Sequence, residues 1–111
     1  MIEISKPAAQ QVMRSIEESG AVGLPLRIAI KRQPNGALYY QMGFDKQSHV
    51  GDQQFQVQGV QVVLDSDSVP LAQGMMLDFV EIEGRMEFIF LNPNDARYEP
   101  TLAPIAAAAR Q

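Results

Sequence analysis

The chain has 111 residues, of which 46% are hydrophobic and 20% charged, as expected for one folded domain with a single core. The net charge of −4 disfavours nucleic-acid binding, and the absence of cysteine excludes disulfides, thiolate nucleophiles and cysteine-based zinc sites. No apolar stretch approaches the roughly 20 residues that span a membrane, and residues 1–6 show no secretory signal pattern, so we expect a cytoplasmic protein.

The first predicted element is a helix that begins after Ser5. A serine side chain can cap the start of a helix, Pro7 fits the first turn, and Gly20 can end the helix. Apolar residues at helical spacing define one face of it: Ala8, Ala9, Val12, Met13 and Ile16. We expect this face to be buried against the rest of the domain.

Strands are predicted over most of the chain that follows, because short apolar runs alternate with turn residues. They cover residues 26–31, 37–44, 54–58, 60–64, 77–82 and 85–90. Asn35-Gly36 predicts a turn, Glu83-Gly84 predicts a hairpin, and the polar stretch 45–52 predicts a loop. Strict alternation of glutamine with apolar residues in 54–58 indicates a strand with one solvated face, which Gly59 ends.

A short internal helix is predicted around Pro70, with Ser66 or Asp67 as its cap and Gly74 as its end. Helices and strands do not alternate along the chain, which disfavours a doubly wound parallel sheet. The predicted fold class is therefore mainly β with peripheral helices: an N-terminal helix plus one short internal helix around a β-sandwich or mixed sheet.

The predicted domain ends near the turn Asn92-Pro93-Asn94-Asp95, so we expect residues 1–96 to form it and residues 97–111 to form a flexible tail. Pro100 and Pro104 each remove a backbone donor. The alanine run 106–109 has good helix propensity, but it is too short to be stable alone and offers little apolar area.

Two sets of polar residues could carry chemistry. His49 lies in a polar loop with Asp45 and Asp52 and could form a metal site with them, although a solvated loop histidine is the simpler interpretation, since no second histidine exists. Paired carboxylates for acid–base work could come from Asp65, Asp67 and Asp78. We favour strand-end or capping roles for the first two, and the wet side of a strand for Asp78.

Other residues suggest packing or interface roles. Of Tyr39 and Tyr40, one should point inward and the other outward, and Met75-Met76 should fill the core. The segments Gln54–Gln58 and Arg85–Leu91 are candidate sheet edges through which the domain could associate into a homodimer or higher oligomer.

Read in order, several short motifs resemble the HesB/IscA family of A-type iron–sulfur carriers and cover nearly the whole chain up to Asp95. Each motif is weak alone, but their order and spacing together are fairly specific for the fold. They are Ile4-Ser5-Lys6-Pro7-Ala8, Leu26-Arg27-Ile28, the segment from Tyr40 to Phe44-Asp45, Gly59-Val60-Gln61-Val62-Val63-Leu64-Asp65, Ser68 with Leu71 and Gly74, Leu77-Asp78-Phe79, and Asn92-Pro93-Asn94.

The resemblance implies a HesB-like mixed β-sandwich, but this chain departs from the family at the ligand positions. The family's first cysteine falls at Pro34 or Asn35, and its two C-terminal cysteines fall near Glu99 and Thr101. A cluster requires soft thiolate donors, whereas proline, asparagine and threonine offer none and glutamate is a hard oxygen ligand. No ligand of the family can therefore be carried over, and we expect no cofactor.

The function implied is a non-enzymatic protein-binding module related to iron–sulfur cluster assembly. Its partners would be iron–sulfur apoproteins or assembly factors, because Nfu-type carriers of some bacteria begin with a cysteine-free A-type domain to which client recognition is ascribed. Two alternatives stay open at this point. One is metal binding by His49 with Asp45, Asp52 or Glu99, and the other is an unrecognised enzyme.

Overall fold

The computed structural model describes residues 2–96, which form seven strands, one α-helix and one short 3-10 helix. The mainly β fold class, with an N-terminal and a short internal helix, is confirmed. The elements in chain order are β1 (Glu3–Ile4), α1 (Lys6–Ser19), β2 (Leu26–Arg32), β3 (Leu38–Phe44), β4 (Gln53–Val57), β5 (Val60–Leu64), the 3-10 helix (Pro70–Ala72), β6 (Met76–Ile82) and β7 (Arg85–Leu91).

Helix α1 begins and ends as the sequence predicts. The Oγ of Ser5 accepts a hydrogen bond from the Ala8 N–H at 3.1 Å, and Gly20 takes the left-handed conformation that ends the helix. The face centred on Ala8 and Val12 is buried. Met13, which we expected on that face, is 45% exposed, because it lies about 100° around the helix from Val12, at the edge of the apolar stripe.

The strands form two mixed sheets. The four-stranded sheet has the order β3-β2-β5-β4, and the three-stranded sheet has the order β1-β6-β7. The pairs β2–β5 and β1–β6 are parallel, and the other pairs are antiparallel. Strand β1 has only two residues and was not predicted from the sequence.

The core contains side chains from both sheets and from α1. Tyr40 of β3 stacks on Phe90 of β7 with ring centroids 4.4 Å apart, so this aromatic pair joins the two sheets. Tyr39 is 48% exposed, which confirms that the two tyrosines point in opposite directions. Met75 is fully buried, as predicted.

The 3-10 helix differs from the prediction at its start. It begins after Val69 with no side-chain cap, so neither Ser66 nor Asp67 has the capping role. Ser68 is instead 1% exposed, and its Oγ accepts a hydrogen bond from the Ile30 N–H at 2.9 Å. The last residue of β2 that pairs with β5 is Ile28. At Ile30 the Ser68 side chain therefore takes the place of a backbone hydrogen-bond partner.

Residues 97–111, for which the sequence predicts a flexible tail, lie outside the described residues, and that expectation stays a prediction. Within the part of the chain that the structure describes, no helix has the length and apolar character needed to cross a membrane.

Candidate functional site

The turn between β2 and β3, which carries Pro34 and Asn35, is held by its own hydrogen bonds. The Gly36 N–H donates to the Gln33 carbonyl at 2.9 Å, and the Gln33 N–H donates to the Ala37 carbonyl at 2.8 Å. The Oδ1 of Asn35 accepts from the Ala37 N–H at 3.0 Å. The tip of this turn therefore has a defined shape although its side chains are exposed.

Arg32 links the turn to the segment that follows β7. Its Nη1 donates to the Gly36 carbonyl at 3.0 Å and its Nη2 to the Asn94 carbonyl at 3.4 Å. The Ala96 N–H also donates to the Gly36 carbonyl, at 3.4 Å. Gly36 has a φ of +87°, and a Cβ there would lie 3.3 Å from the Cβ of Ala96, so glycine permits this close approach.

The segment after β7 is fixed in turn to the 3-10 helix. Asn92 is 1% exposed, and its Nδ2 donates to the Leu71 carbonyl at 2.7 Å. The Nδ2 of Asn94 donates to the carbonyls of Leu71 and Gln73. The Tyr40 hydroxyl donates to Asp95 Oδ2 at 3.2 Å. These bonds place residues 94–96 beside the β2–β3 turn, about 60 residues away in sequence.

The structure thus brings Pro34 and Asn35, one of which the family resemblance predicts at the first ligand position, next to the segment that leads to residues 97–111. Glu99 and Thr101 themselves lie outside the described residues. Pro34 offers no donor atom, Asn35 already uses its Oδ1 on a backbone N–H, and the cationic Arg32 stands at the base of the turn. This set of groups does not fit a thiolate-bound cluster.

A second polar cluster lies near the start of β2, roughly 20 Å along the strand from that turn. Arg27 donates from Nε to Asp45 Oδ2 at 2.8 Å, and from Nη1 and Nη2 to the two oxygens of Asp52 at 3.1 and 2.6 Å. A further bond from Nη2 reaches the Gln47 carbonyl. One guanidinium therefore fastens the loop between β3 and β4 onto the four-stranded sheet.

These contacts change the acidity of both carboxyl groups. The hydrogen bonds from Arg27, and then the N–H of His49, lower the pKa of Asp52 from 3.8 to about 2. The pKa of Asp45 is lowered by the Gln47 N–H and then by Arg27. The two aspartates raise the pKa of Arg27, so the cluster stays charged over the whole physiological range.

The residues proposed as metal ligands come together, but around a cation. Asp45 and Asp52 both bind Arg27, and His49 contributes its backbone N–H to Asp52. Among residues 2–96, no group of three or more histidine, aspartate or glutamate side chains is arranged to hold a metal ion.

The three aspartates considered for acid–base catalysis each have different surroundings, and no hydrogen bond joins any two of them among the described residues. Asp78, expected on the wet side of a strand, is half-buried, and its Oδ1 accepts from the Ser5 hydroxyl at 2.6 Å and from the Phe79 N–H at 2.8 Å. Asp67 is exposed, and Asp65 follows β5 with its Oδ1 buried and without a hydrogen-bond donor among the described residues.

Sequence reasoning did not identify the roles of Arg27 and Arg32. The available signal was an arginine on each end of one strand, with acidic residues in the following loop. Only the topology shows that Arg27 reaches both Asp45 and Asp52, and that Arg32 instead reaches the backbone carbonyls of Gly36 and Asn94.

Comparisons with known proteins agree with this fold over nearly its whole length. The family described as iron–sulphur cluster biosynthesis matches residues 1–97. A protein named iron-binding protein IscA from Pectobacterium carotovorum subsp. carotovorum is 35% identical over 96 residues, which cover 86% of this chain and 88% of that protein. Protein Rv2204c of Mycobacterium tuberculosis is 33% identical over 93 residues, covering 82% of this chain and 77% of that protein.

Solved structures show the same architecture. The crystal structure of IscA with a 2Fe–2S cluster has a TM-score of 0.71 at 24% identity and covers 86% of this chain and 88% of its own. The crystal structure of SufA from Escherichia coli has a TM-score of 0.68 at 19% identity, covering 83% and 80%. The family match and the identity to its relatives show that the chain belongs to the iron–sulphur cluster biosynthesis family, the HesB/IscA family. It is a member without any cysteine.

Proposed function

We propose that this domain is a non-enzymatic protein-binding module of iron–sulfur cluster assembly, which contacts apoproteins or assembly factors and holds no cluster of its own. The observation that carries the proposal is the chemistry of the β2–β3 turn. The family fold is retained and the chain has no cysteine anywhere, while the resemblance predicts Pro34 or Asn35 at the position of the first thiolate.

The shape of the turn supports a role in contacting proteins. Gln33, Pro34 and Asn35 are exposed at its tip, while Arg32 and Gly36 fasten its base to residues 94–96. An exposed loop that is already ordered loses little conformational entropy when a partner binds it. The site that binds metal in cluster-carrying proteins would thus serve here as a fixed contact surface.

Anaerobic reconstitution with ferrous iron and sulfide tests the first half of the proposal. We expect the wild-type chain to stay colourless. Two matched triple variants restore thiolates, Asn35→Cys or Pro34→Cys, each with Glu99→Cys and Thr101→Cys, and the one in the correct register should develop visible absorption. A stable visible band at stoichiometric iron in the wild-type protein would contradict the proposal.

Binding to apoproteins tests the second half. The probe is the apo form of a cysteine-liganded iron–sulfur protein from the source organism, titrated against the immobilised domain. We expect the double variant Gln33→Ala/Pro34→Ala to weaken binding at least tenfold, whereas Val22→Ala, an exposed change in the loop after α1, should leave binding unchanged. Equal binding by both variants would rule out the β2–β3 turn as the contact surface, and no binding by the wild type to a panel of such apoproteins would contradict the function itself.

A further inference from the structure

Strand β4 is an outer strand of the four-stranded sheet, and within residues 2–96 it pairs with β5 alone. Its sequence, Gln53-Gln54-Phe55-Gln56-Val57, contains no charge and no proline. Natural proteins commonly place charged residues or proline on an outer strand, because these residues prevent pairing with another chain. The nearest charged neighbour, Asp52, is bound by Arg27. The edge of β4 therefore lacks the features that prevent strand addition.

The register of the β4–β5 hairpin determines which backbone groups face this edge. Gln58 and Gly59 form a two-residue turn with φ values of 51° and 78°, flanked by the pair Val57–Val60. In such hairpins the flanking pair exchanges both backbone hydrogen bonds, and bonded and non-bonded pairs then alternate. Phe55 and Val57 consequently bond to β5, whereas Gln54 and Gln56 direct their N–H and C=O groups away from the sheet.

The strand is also self-complementary about Phe55. If two copies of β4 pair antiparallel around a two-fold axis at Phe55, Gln54 lies opposite Gln56 of the second copy and Gln53 lies opposite its Val57. The outward backbone groups of Gln54 and Gln56 then form four hydrogen bonds, and Phe55 meets its counterpart in the closely spaced non-bonded pair. No charged residue faces its own copy, which would destabilise a symmetric pairing.

We propose that two copies of this chain associate edge to edge through β4, in the register centred on Phe55, and join their four-stranded sheets into one eight-stranded sheet.

The two faces of the joined sheet suit this arrangement. Phe55 and Val57 are half-buried and pack against the core, so the second copy covers apolar area that they leave exposed. Gln54 and Gln56 are exposed on the other face, where their amide groups can bond to each other across the junction. One five-residue strand pair is smaller than the roughly 1,200 Å² of a stable interface, so the dimer dissociates on dilution.

A charge-swap experiment tests this register. In Gln54→Lys/Gln56→Lys, lysine faces lysine across the two-fold axis at both positions, and in Gln54→Glu/Gln56→Glu, glutamate faces glutamate. By sedimentation velocity between micromolar and millimolar concentrations, we expect the wild type to dimerise and each double variant to have a dissociation constant at least tenfold higher. An equimolar mixture of the two variants places lysine opposite glutamate at both positions and should recover the dimer.

The matched control adds the same two positive charges elsewhere. Gln10→Lys/Gln41→Lys changes exposed positions on α1 and β3, so it should dimerise like the wild type and should bind the Gln54→Glu/Gln56→Glu variant no more tightly than the wild type does. Circular dichroism melts of every variant would check that it is folded. A wild type that stays monomeric at millimolar concentration, a dimer that persists in both β4 variants, or a mixture that fails to recover the dimer would each overturn the proposal. None of these results bears on cluster binding, so the assembly and the proposed function fail separately.

Discussion

Arg27 connects three stretches of chain that sequence patterns treat as unrelated. It lies on β2, yet its side chain bonds to Asp45 just after β3 and to Asp52 just before β4. The loop between those aspartates has no regular secondary structure, so its attachment to the sheet depends on these bonds. A fork of this geometry requires arginine, because a lysine ammonium cannot bind one carboxylate with two parallel N–H groups.

The depressed pKa of Asp52 makes this attachment sensitive to acid. A carboxyl whose pKa is lowered by folding stabilises the folded state above its unfolded pKa, here 3.8, and loses that contribution as the pH falls through its folded pKa of about 2. We therefore expect the advantage of the wild type over Asp52→Asn, in urea unfolding, to be constant above pH 5 and to shrink between about pH 4 and pH 2. Asp67→Asn, at an exposed position, should show no such pH-dependent difference. A stability difference between wild type and Asp52→Asn that does not change with pH would contradict this role.

Ser68 supports a second prediction at the same scale. Removing its hydroxyl leaves the Ile30 N–H buried without its partner, and an unsatisfied buried donor costs about 1–3 kcal/mol. Ser68→Ala should lower the free energy of unfolding by that amount in urea titrations, while Ser66→Ala, an exposed change two residues earlier, should have little effect. Equal stability of the two variants would show that water satisfies Ile30 without cost.

Single residues show where sequence reasoning succeeds and where it stops. Local signals sufficed for Ser5 and Gly20, because a cap bonds to a neighbour within a few residues. They could not show that Asp78 accepts a bond from Ser5, which lies 73 residues away. The same limit applies to the candidate site: the ligand position at Pro34 or Asn35 is predicted from the sequence resemblance alone, whereas the support from Arg32 and residues 94–96 requires the topology.

At the scale of elements, both two-residue turns place a residue other than glycine in the left-handed region. Gln58 and Glu83 have φ values of 51° and 50°, ahead of Gly59 and Gly84. Side chains other than asparagine, aspartate and glycine are disfavoured there, and Asn-Gly is the preferred sequence for such turns. The hairpins therefore form because their strands pair, despite an unfavourable first turn residue.

Replacing that residue should stabilise the protein. Glu83→Asn keeps the turn and relieves the conformational cost, so we expect the free energy of unfolding to rise by about 0.5–1 kcal/mol. Glu81→Asn removes the same charge from an exposed position on β6 and should give no gain, since asparagine is disfavoured in strands. The measurement is thermal or urea unfolding of both variants. A gain of the same size in each would point to the lost charge and not to the turn.

Elements with a strong local pattern were predictable, and those defined by distant pairing were not. The alternating strands and the hairpin at Glu83-Gly84 lie where the sequence predicts. Strand β1 has two residues and exists because Glu3 and Ser5 donate backbone hydrogen bonds to Met75 and Leu77. The internal helix was placed correctly, but its cap was wrong because the helix begins after Val69, whose side chain cannot accept a hydrogen bond.

In the whole molecule, ring stacking and hydrogen bonds hold the two sheets and the segment after β7 together. The Tyr40–Phe90 stack joins the two sheets, and the Tyr40 hydroxyl bonds to Asp95 beside the β2–β3 turn. In this chain, bonds from Arg32 and to Gly36 attach residues 94–96 to the same turn.

Residues 99–111 follow the segment 94–96 that is attached to the β2–β3 turn. A chain that stops after Tyr98 loses Pro100, Pro104 and a short alanine run, which offer little apolar area to offset the entropy cost of ordering them, about 1 kcal/mol or more per residue. We expect its melting midpoint to fall by less than about 4 °C, equivalent to under 1 kcal/mol for a domain of this size. A chain that stops after Asn94 should melt clearly lower, because it also loses the Tyr40–Asp95 and Gly36–Ala96 bonds. If stopping after Tyr98 lowers the midpoint by many degrees, the tail is part of the packed domain. A fall in the melting midpoint that occurs only in concentrated samples would instead place residues 99–111 in an interface between copies.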